Sequence, residues 1–288
     1  MRQIILLITA AAAVSPASIF ILLADAPAMS VAFYRMVFAS LILAPIFLFR
    51  RKFGKLKSLS NRELFLIFIS GLFLSAHFAT WVSSLFYTPV ANSVILVTTQ
   101  PIFVAILGSI FLGERLRALS ILGVVVAVSG AIVIAGGDFS LSSNYLKGDI
   151  LALIGAVMAA AYITMGRQIR KKVELLNYVF YCYSFSALGL LLVVLFSHQP
   201  LSGFSAKSYI YFALLGLIPS VLGHTLYNWA LKYLKAYLVG ICILGEPIGA
   251  TMLAWLVLNQ EPTGFFYIGS ALIGIGLLTL FAFESNHT

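Results

Sequence analysis

The residues of this sequence that could do chemistry are ionisable side chains inside long apolar segments. Four of them stand well away from the segment ends: Arg35, His77, His224 and Glu246. Burying such a group at membrane depth is costly, so each one is expected to serve function or to form a structural hydrogen bond. Imidazole and carboxyl groups exchange protons, and a carboxylate also binds an ammonium group. These positions therefore predict proton transfer or recognition of a charged small molecule.

Glu246 is the most informative of the four because Pro247 follows it near the middle of an apolar segment. A proline there removes a helix hydrogen bond and leaves carbonyl oxygens open to a ligand. Gln100 and Pro101 occupy the equivalent place in the first half, so we predict helix bends at both prolines. Burial disfavours a charged carboxylate. We expect Glu246 to trade a proton for substrate, as a gate, or to bind the substrate's ammonium group; the alternative is a structural brace for the bend.

An internal repeat explains why these positions come in pairs. Adding 146 to a residue number in the first half finds the same residue type in the second, as in these pairs: Leu85 and Leu231, Tyr87 and Tyr233, Pro101 and Pro247, Gly123 and Gly269, Gly130 and Gly276. The register holds without a gap, which indicates a true repeat. We predict two repeats, residues 1–140 and 146–288.

Composition places these repeats in a membrane. The chain is 61% hydrophobic and 9% charged, against about 25% charged residues in soluble domains. A membrane helix needs about 20 apolar residues, and ten segments qualify: 4–24, 28–49, 64–87, 90–112, 119–136, 148–167, 175–196, 208–231, 236–257 and 264–284. Five segments per half is an odd number, so the halves enter the membrane from opposite faces. The predicted fold class is therefore an all-α integral membrane protein whose ten transmembrane helices form two inverted five-helix repeats.

The net charge of +9 is a matter of topology and predicts no nucleic-acid partner. Of the 18 basic residues, 15 fall on one face of this arrangement: Arg2, Arg50, Arg51, Lys52, Lys55, Lys57, Arg62, Arg115, Arg117, Arg167, Arg170, Lys171, Lys172, Lys232 and Lys235. Only Lys147 and Lys207 fall on the other. The basic face is cytoplasmic by the positive-inside rule. Loop 50–63, the tail 285–288 and both termini are thus predicted inside the cell, with the protein in the inner membrane of a prokaryote.

Inverted copies bring their two bends together near the membrane midplane, where such proteins keep a ligand site. The helices expected to wall the site are one, three, four, six, eight and nine. The residues predicted to bind substrate are His77, Trp81, Thr98, Thr99, Gln100, Tyr162, His224, Tyr227, Asn228 and Glu246. Alternatives stay open: each histidine could be a packing residue, the aromatic residues ordinary core, and Arg35 a strut or a side chain that reaches water.

Motifs of other protein classes are missing from the sequence. It contains no GxxxxGK[ST], HExxH or GxSxG pattern, which leaves ATP-driven pumping and common hydrolase chemistry without their residues. Cys182 and Cys242 lie in apolar segments and supply no metal or disulfide framework. We expect no metal and no cofactor. A stripe of small residues from Gly123 to Ala135 predicts a tight helix contact, either within the chain or in a homodimer.

Three motifs of the first half resemble a known repeat: His77-Phe78-Ala79-Thr80-Trp81 through Ser84-Leu85-Phe86-Tyr87-Thr88, Gln100-Pro101-Ile102-Phe103, and Leu112-Gly113-Glu114-Arg115-Leu116. The second half carries Ala230-Leu231-Lys232-Tyr233, Gly245-Glu246-Pro247, Glu261 and Gly269, and Phe33-Tyr34-Arg35 also fits. Over nearly its whole length the chain resembles the EamA repeat of the drug/metabolite transporter superfamily. The resemblance implies ten helices with both termini inside and a central cavity walled mainly by helices one, three and four of each half. It also implies export or exchange of small metabolites such as amino acids, nucleosides or drugs.

The function predicted from all these features is secondary transport of small organic metabolites by alternating access, with a proton as a candidate coupling ion. Its expected partners are the metabolite and membrane lipids. The alternative from another class is a membrane scaffold or signalling component that transports nothing. An intramembrane enzyme is least supported, because no nucleophile and base are paired in the sequence.

Overall fold

The architecture is that of an all-helical integral membrane protein. The structure is a computed structural model, and it describes residues 2–114, 118–136, 143–259 and 264–284. Regular structure in these ranges is helical: α1 (Arg2–Val14), α2 (Ala17–Leu23), α3 (Ala28–Lys52), α4 (Asn61–Ser84), α5 (Val90–Val97), α6 (Gln100–Leu112), α7 (Ala118–Gly136), α8 (Ser143–Arg170), α9 (Leu175–Phe196), α10 (Ala206–Leu215), a π-helical segment (Gly216–His224), α11 (Thr225–Ala230), α12 (Ala236–Cys242), a 3₁₀ turn (Ile243–Gly245), α13 (Glu246–Leu258) and α14 (Gly264–Glu284). Arg115, Arg117, Glu261 and the tail 285–288 lie outside the described residues.

Eight helical segments among the described residues are long and apolar enough to cross a membrane: Ile5–Leu23, Ala28–Lys52, Asn61–Ser84, Ser93–Leu112, Leu146–Arg170, Leu175–Phe196, Ala206–Ala230 and Ala236–Leu258. Two shorter apolar stretches, Ile121–Gly130 and Tyr267–Gly276, lie in α7 and α14. The lipid-facing surface is apolar, with Phe111, Phe196 and Leu278 each more than two-thirds exposed. In water such a surface would aggregate, whereas in a bilayer it meets hydrocarbon.

Helix ends follow local rules. Ser60 caps α4 in a reciprocal arrangement in which its hydroxyl accepts from the Glu63 backbone and the Glu63 carboxylate accepts from the Ser60 backbone. Gly113 ends α6 and Asn259 ends α13, both in the left-handed conformation, with φ of 66° and 55°. The predicted single helix over 4–24 is split between α1 and α2, because Pro16 cannot donate the hydrogen bond that would continue it.

The small-residue stripe on α7 packs against α14 of the same chain. A Cβ added at Gly130 would stand 2.5 Å from the carbonyl oxygen of Gly269, and one at Gly276 would stand 2.6 Å from the carbonyl oxygen of Gly123. The two glycine contacts are reciprocal and let the backbones approach closely. The stripe is therefore a contact within one chain, and the homodimer that it also permitted stays a prediction.

Candidate functional site

Helix interruptions surround the centre of the molecule. α5 ends at Val97 and α6 begins at Gln100, while α12 passes through the 3₁₀ turn before α13 begins at Glu246. In both cases a proline occupies the first turn of the new helix, where its missing N–H leaves no hydrogen bond unmade. The bends thus sit where the sequence pairs Gln100-Pro101 with Glu246-Pro247.

A third irregular element, the π-helical segment Gly216–His224, was not predicted from the sequence. It contains Pro219, and its wider turn is of the kind often found at functional sites. Ser220 lies fully buried in it, and its hydroxyl donates to the Leu215 carbonyl at 2.9 Å. The only advance sign of this irregularity was a proline between two glycines, Gly216 and Gly223.

A central cavity lies among these interruptions, with about 590 Å³ of empty volume including the part that opens to solvent. Its lining residues come from both halves of the chain: Val14, Ala17, Arg35, His77, Trp81, Val97, Gln100, Ala159, Tyr162, Ile163, His224, Tyr227, Asn228, Leu231, Ile243 and Glu246.

Eight of the ten residues predicted to bind substrate line this cavity: His77, Trp81, Gln100, Tyr162, His224, Tyr227, Asn228 and Glu246. Thr98 and Thr99 do not. Their hydroxyls donate instead to carbonyls of the preceding turn, Thr98 to Ile95 at 2.9 Å and Thr99 to Leu96 at 2.6 Å. Both hydroxyls thus donate to the backbone at the interruption before α6. Of the three neutral polar residues predicted here, only Gln100 lines the cavity.

Arg35 also lines the cavity. The sequence had suggested two roles for it, a structural strut or a side chain that reaches water. It is 1% exposed, so it does not reach water. Its Nε donates to the Ser220 hydroxyl at 2.9 Å, and its guanidinium carbon stands 4.0 Å from the Phe78 ring centre. Its Nη1 has no hydrogen-bond partner among the residues that the structure describes. The guanidinium is therefore fixed through Nε and keeps an unpaired donor at Nη1 in this part of the chain.

Glu246 faces the same cavity and is 7% exposed. Within the part of the chain that the structure describes, no hydrogen bond to its carboxylate is formed, and Arg35 does not approach it as an ion pair. The Arg35 guanidinium and the Glu246 carboxyl group therefore share one cavity without a direct ion pair. That arrangement leaves both groups available to a third partner.

The two histidines contact the cavity in different ways. The His77 Nδ1 lies 2.9 Å from the Gly155 carbonyl oxygen, which can only accept, so this nitrogen carries the proton and donates. The ring stacks nearly parallel to Trp81, with 5.9 Å between centres. His224 meets the Phe78 ring edge-on at 5.5 Å. In its neutral form His77 thus presents Nε2 as its remaining acceptor.

Several residues that line the cavity carry a buried polar atom with no partner in the described ranges. These atoms are Arg35 Nη1, Trp81 Nε1, Tyr227 Oη and Asn228 Oδ1. The Asn228 Nδ2, by contrast, donates to the Tyr162 hydroxyl. Buried polar atoms are normally hydrogen-bonded, so a group of exceptions on one cavity calls for a ligand or water to complete them.

Glu114, from the Leu112-Gly113-Glu114 motif, connects several helices at one end of the bundle. Its Oε1 accepts from Arg167 Nε and its Oε2 from the Ala236 backbone, both at 2.8 Å. Arg167 Nη1 also donates to the carbonyl of Leu231, a cavity-lining residue, at 2.8 Å. Sequence reasoning recognised the motif but gave Glu114 no role. The contacts join the end of α6 to α8, to the turn after α11 and to the start of α12.

Metal binding finds no support in the described ranges, where no group of three or more His, Cys, Asp or Glu residues comes together. Cys182 and Cys242 are both buried and unpaired.

Comparison with known proteins identifies the family to which this chain belongs. The model of the EamA-like transporter family matches the chain over residues 1–136 and again over 146–282. An aromatic amino acid exporter, YddG, of Ancylobacter novellus is 27% identical, covering 74% of this chain and 75% of the relative. The pseudopaline exporter CntI of Pseudomonas aeruginosa is 25% identical, covering 89% and 87%.

A further relative is a probable terminal-alkyne amino-acid exporter of Streptantibioticus cattleyicolor, 26% identical over 67% of this chain and 65% of its own. A solved crystal structure shares the fold, with a TM-score of 0.79 at 19% identity, covering 100% of this chain and 99% of that one.

Proposed function

Because this chain belongs to the EamA-like transporter family and is a small-molecule secondary transporter, we propose that its substrate binds in the central cavity and crosses the membrane by alternating access. The single observation that carries this proposal is the convergence of unpartnered polar atoms on one cavity built from both halves of the chain. A substrate that completes those hydrogen bonds can be held between the halves and released when they separate on either side.

The proposal includes ten transmembrane helices in two inverted repeats, 1–140 and 146–288. Three observations support it. The family model matches each half once. The interrupted helices α5–α6 and α12–α13 restart at positions 146 residues apart. The reciprocal glycine contact between α7 and α14 has the form that a two-fold axis in the membrane plane would produce. α7 and α14 would be the remaining two crossings beside the eight longer segments.

Orientation in the inner membrane is part of the same proposal. The basic end of the bundle, which includes Lys57 and the pair Glu114 and Arg167, would face the cytoplasm. The Glu114 contacts join α6, α8 and α12 at this end. Release to or loading from the cytoplasm would require these contacts to break.

For Glu246 we propose exchange of a proton against the positive end of the substrate. The charged and titratable groups that share its cavity are Arg35, His77, Tyr162, His224 and Tyr227. None of the five forms a hydrogen bond to Glu246 within the described ranges. A buried carboxylate without a direct partner takes up a proton more readily than one in water. An arriving ammonium group would stabilise the charged form and expel the proton, which couples substrate and proton movement.

The test is the pH dependence of exchange in proteoliposomes for Glu246→Gln, with amino acids as the first solutes tried. The variant keeps size and hydrogen bonding, so it should fold and lose the parent's pH profile. Glu246→Ala should lose it too, with lower stability from the cavity left behind. Glu174→Gln, at an exposed carboxylate before α9, is the matched control and should keep both rate and profile. If Glu246→Gln exchanges solute at the parent rate with the parent pH profile, Glu246 is a structural brace.

A further inference from the structure

We propose that Arg35 and Trp81 form an anion subsite in the cavity wall that takes the carboxylate of a small zwitterionic solute. The inference rests on the proposed function and deepens it, since it assigns a chemical class to what the cavity holds. It concerns two residues that no other role in the molecule explains fully, one from α3 and one from α4.

The first observation is that both residues carry buried donors without acceptors. Arg35 is 1% exposed and Trp81 3% exposed, and neither Arg35 Nη1 nor Trp81 Nε1 has a partner within the described part of the chain. Both nitrogens can only donate. A buried donor without an acceptor lowers the stability of the protein. Two such donors on one cavity wall are complementary to an oxyanion.

The second observation is that the protein holds the guanidinium in place without neutralising it. Ser220 accepts from Nε at 2.9 Å and is itself fixed by the π-helical segment. The Phe78 ring covers one face, 4.0 Å from the guanidinium carbon, and the Trp81 ring centre is 5.9 Å away. These contacts orient the fork but supply no negative charge. A buried cation oriented by neutral groups is well placed for an incoming anion.

The third observation gives the solute its positive end. Asn228 Oδ1 and the Glu246 carboxylate are acceptors on the same cavity, and they come from α11 and α13 in the second half of the chain. The donors of the subsite come from α3 and α4 in the first half. A solute with a carboxylate at one end and an ammonium group at the other would bridge the two halves. An amine without the carboxylate would leave Arg35 and Trp81 unpaired.

The experiment measures exchange in proteoliposomes for a panel of amino acids, each beside its decarboxylated amine and its carboxamide. We expect at least one amino acid to exchange, with its matched amine and amide at least about tenfold slower, as the loss of a charge-assisted hydrogen bond predicts. Equal exchange of the amine or the amide would overturn the subsite while leaving transport intact. Exchange of no carboxylate-bearing solute would also overturn it, and exchange of no solute at all would remove the proposed function as well.

Trp81→Phe is the decisive variant, because it keeps an aromatic ring and removes only the donor-bearing part. It should raise the half-saturation concentration for the amino acid about tenfold and leave weak exchange of the matched amine unchanged, because the amine has no acceptor for the indole N–H. Arg35→Gln should have the larger effect, roughly a hundredfold. Trp229→Phe is the matched control, since Trp229 packs on Tyr233 and is absent from the cavity wall. A Trp81→Phe effect that is equal for the amino acid and its amine would reduce the residue to packing and overturn the proposal.

Discussion

At the scale of single residues, four of the nine buried polar side-chain atoms that lack a partner among the described residues belong to the lining of the cavity. Tyr178 is fully buried, and its hydroxyl is paired with the Ser70 hydroxyl at 2.7 Å. Tyr227 is also buried and lines the cavity, and its hydroxyl has no partner in the described part of the chain. A ligand that pairs with this hydroxyl recovers the free energy of the unmade hydrogen bond.

This difference predicts opposite outcomes for two chemically identical substitutions. Tyr183 donates to the Ser220 carbonyl at 3.2 Å and lies 3.1 Å from the Thr225 hydroxyl, so Tyr183→Phe should cost about 1 kcal/mol of unfolding free energy. Tyr227→Phe removes a hydroxyl that makes no bond, and stability without substrate should be unchanged or slightly higher. Melting temperatures of the purified variants in detergent measure both. A loss for Tyr227→Phe as large as that for Tyr183→Phe would contradict the assignment of its hydroxyl to a ligand.

Residue chemistry also explains how far the cavity lining was predictable from sequence. The sequence identified His77, Gln100 and Glu246 as lining residues because a polar side chain at membrane depth avoids lipid and faces the protein interior or a cavity. Arg35 was visible for the same reason, but its contact with Ser220 depends on the π-helical segment, which no residue spacing indicates. Thr98 was predicted to bind substrate, whereas in this structure it is absent from the lining and its hydroxyl donates to its own backbone, as a threonine in a helix can.

At the scale of elements, the interruptions bring backbone and side chains from different helices to one point. Proline determines two of them, which is why the bends at Pro101 and Pro247 followed from the sequence. The split between α1 and α2 did not, although Pro16 is its direct cause. Prolines tolerated inside a helix, such as Pro45 in α3, look the same in sequence, and the surrounding packing decides between them.

The Glu114 network gives a prediction about how these elements move. Glu114 and Arg167 are 9% and 13% exposed in their side chains, and they form an ion pair next to Leu231, whose carbonyl accepts from Arg167. Glu114→Gln should favour opening of this end, because it weakens the link between α6, α8 and α12. The expected effect is about a fivefold rise in the rate at which a thiol reagent labels Leu231→Cys from that side, equivalent to ~1 kcal/mol.

The measurement needs a background in which Cys182 and Cys242 are replaced, and a control at a charge that does not join helices. Arg62→Gln suits this purpose, because Arg62 is exposed at the start of α4. It should leave the labelling rate unchanged. Arg167→Gln also removes the bonds to the Leu231 and Lys232 carbonyls, so it should raise the labelling rate at least as much as Glu114→Gln. Because the two residues share one ion pair, the double variant should fall short of the sum of the two single effects. Additive effects of the two single changes would show that Glu114 and Arg167 do not act as a pair.

At the scale of the whole molecule, the thickness of the hydrocarbon layer allowed the positions of most helices to be predicted from the sequence. A helix that crosses about 30 Å of lipid must be long and apolar, so segment positions follow from composition alone. Predicted segment 175–196 coincides with α9, Leu175–Phe196. What composition cannot give is which helices touch, because lipid and protein interiors are similarly apolar. The structure shows the close contact of α7 with α14. It is possible because Gly130 and Gly276 have no side chains at the contact.

Orientation is the property of the whole molecule that most sharply tests the inverted repeat. Lys57 lies in the loop between α3 and α4, and residue 203, its counterpart 146 positions on, lies in the loop before α10, close to Lys207. Parallel repeats would place the two loops on the same face, whereas inverted repeats place them on opposite faces. Both lysines are exposed, so a cysteine at either position should label without disturbing the fold.

In intact cells, a membrane-impermeant thiol reagent should label Lys207→Cys and leave Lys57→Cys unmodified until the membrane is opened. The reason is the positive-inside rule: the loop of Lys57 follows Arg50, Arg51 and Lys52 at the end of α3, whereas Lys207 stands almost alone on its face. Cys182 and Cys242 are buried and should give little background. Ser142→Cys, outside the described residues, would serve as a second position on the outer face. Labelling of Lys57→Cys from outside with Lys207→Cys protected would reverse the orientation, and labelling of both from one side would remove the inverted repeat.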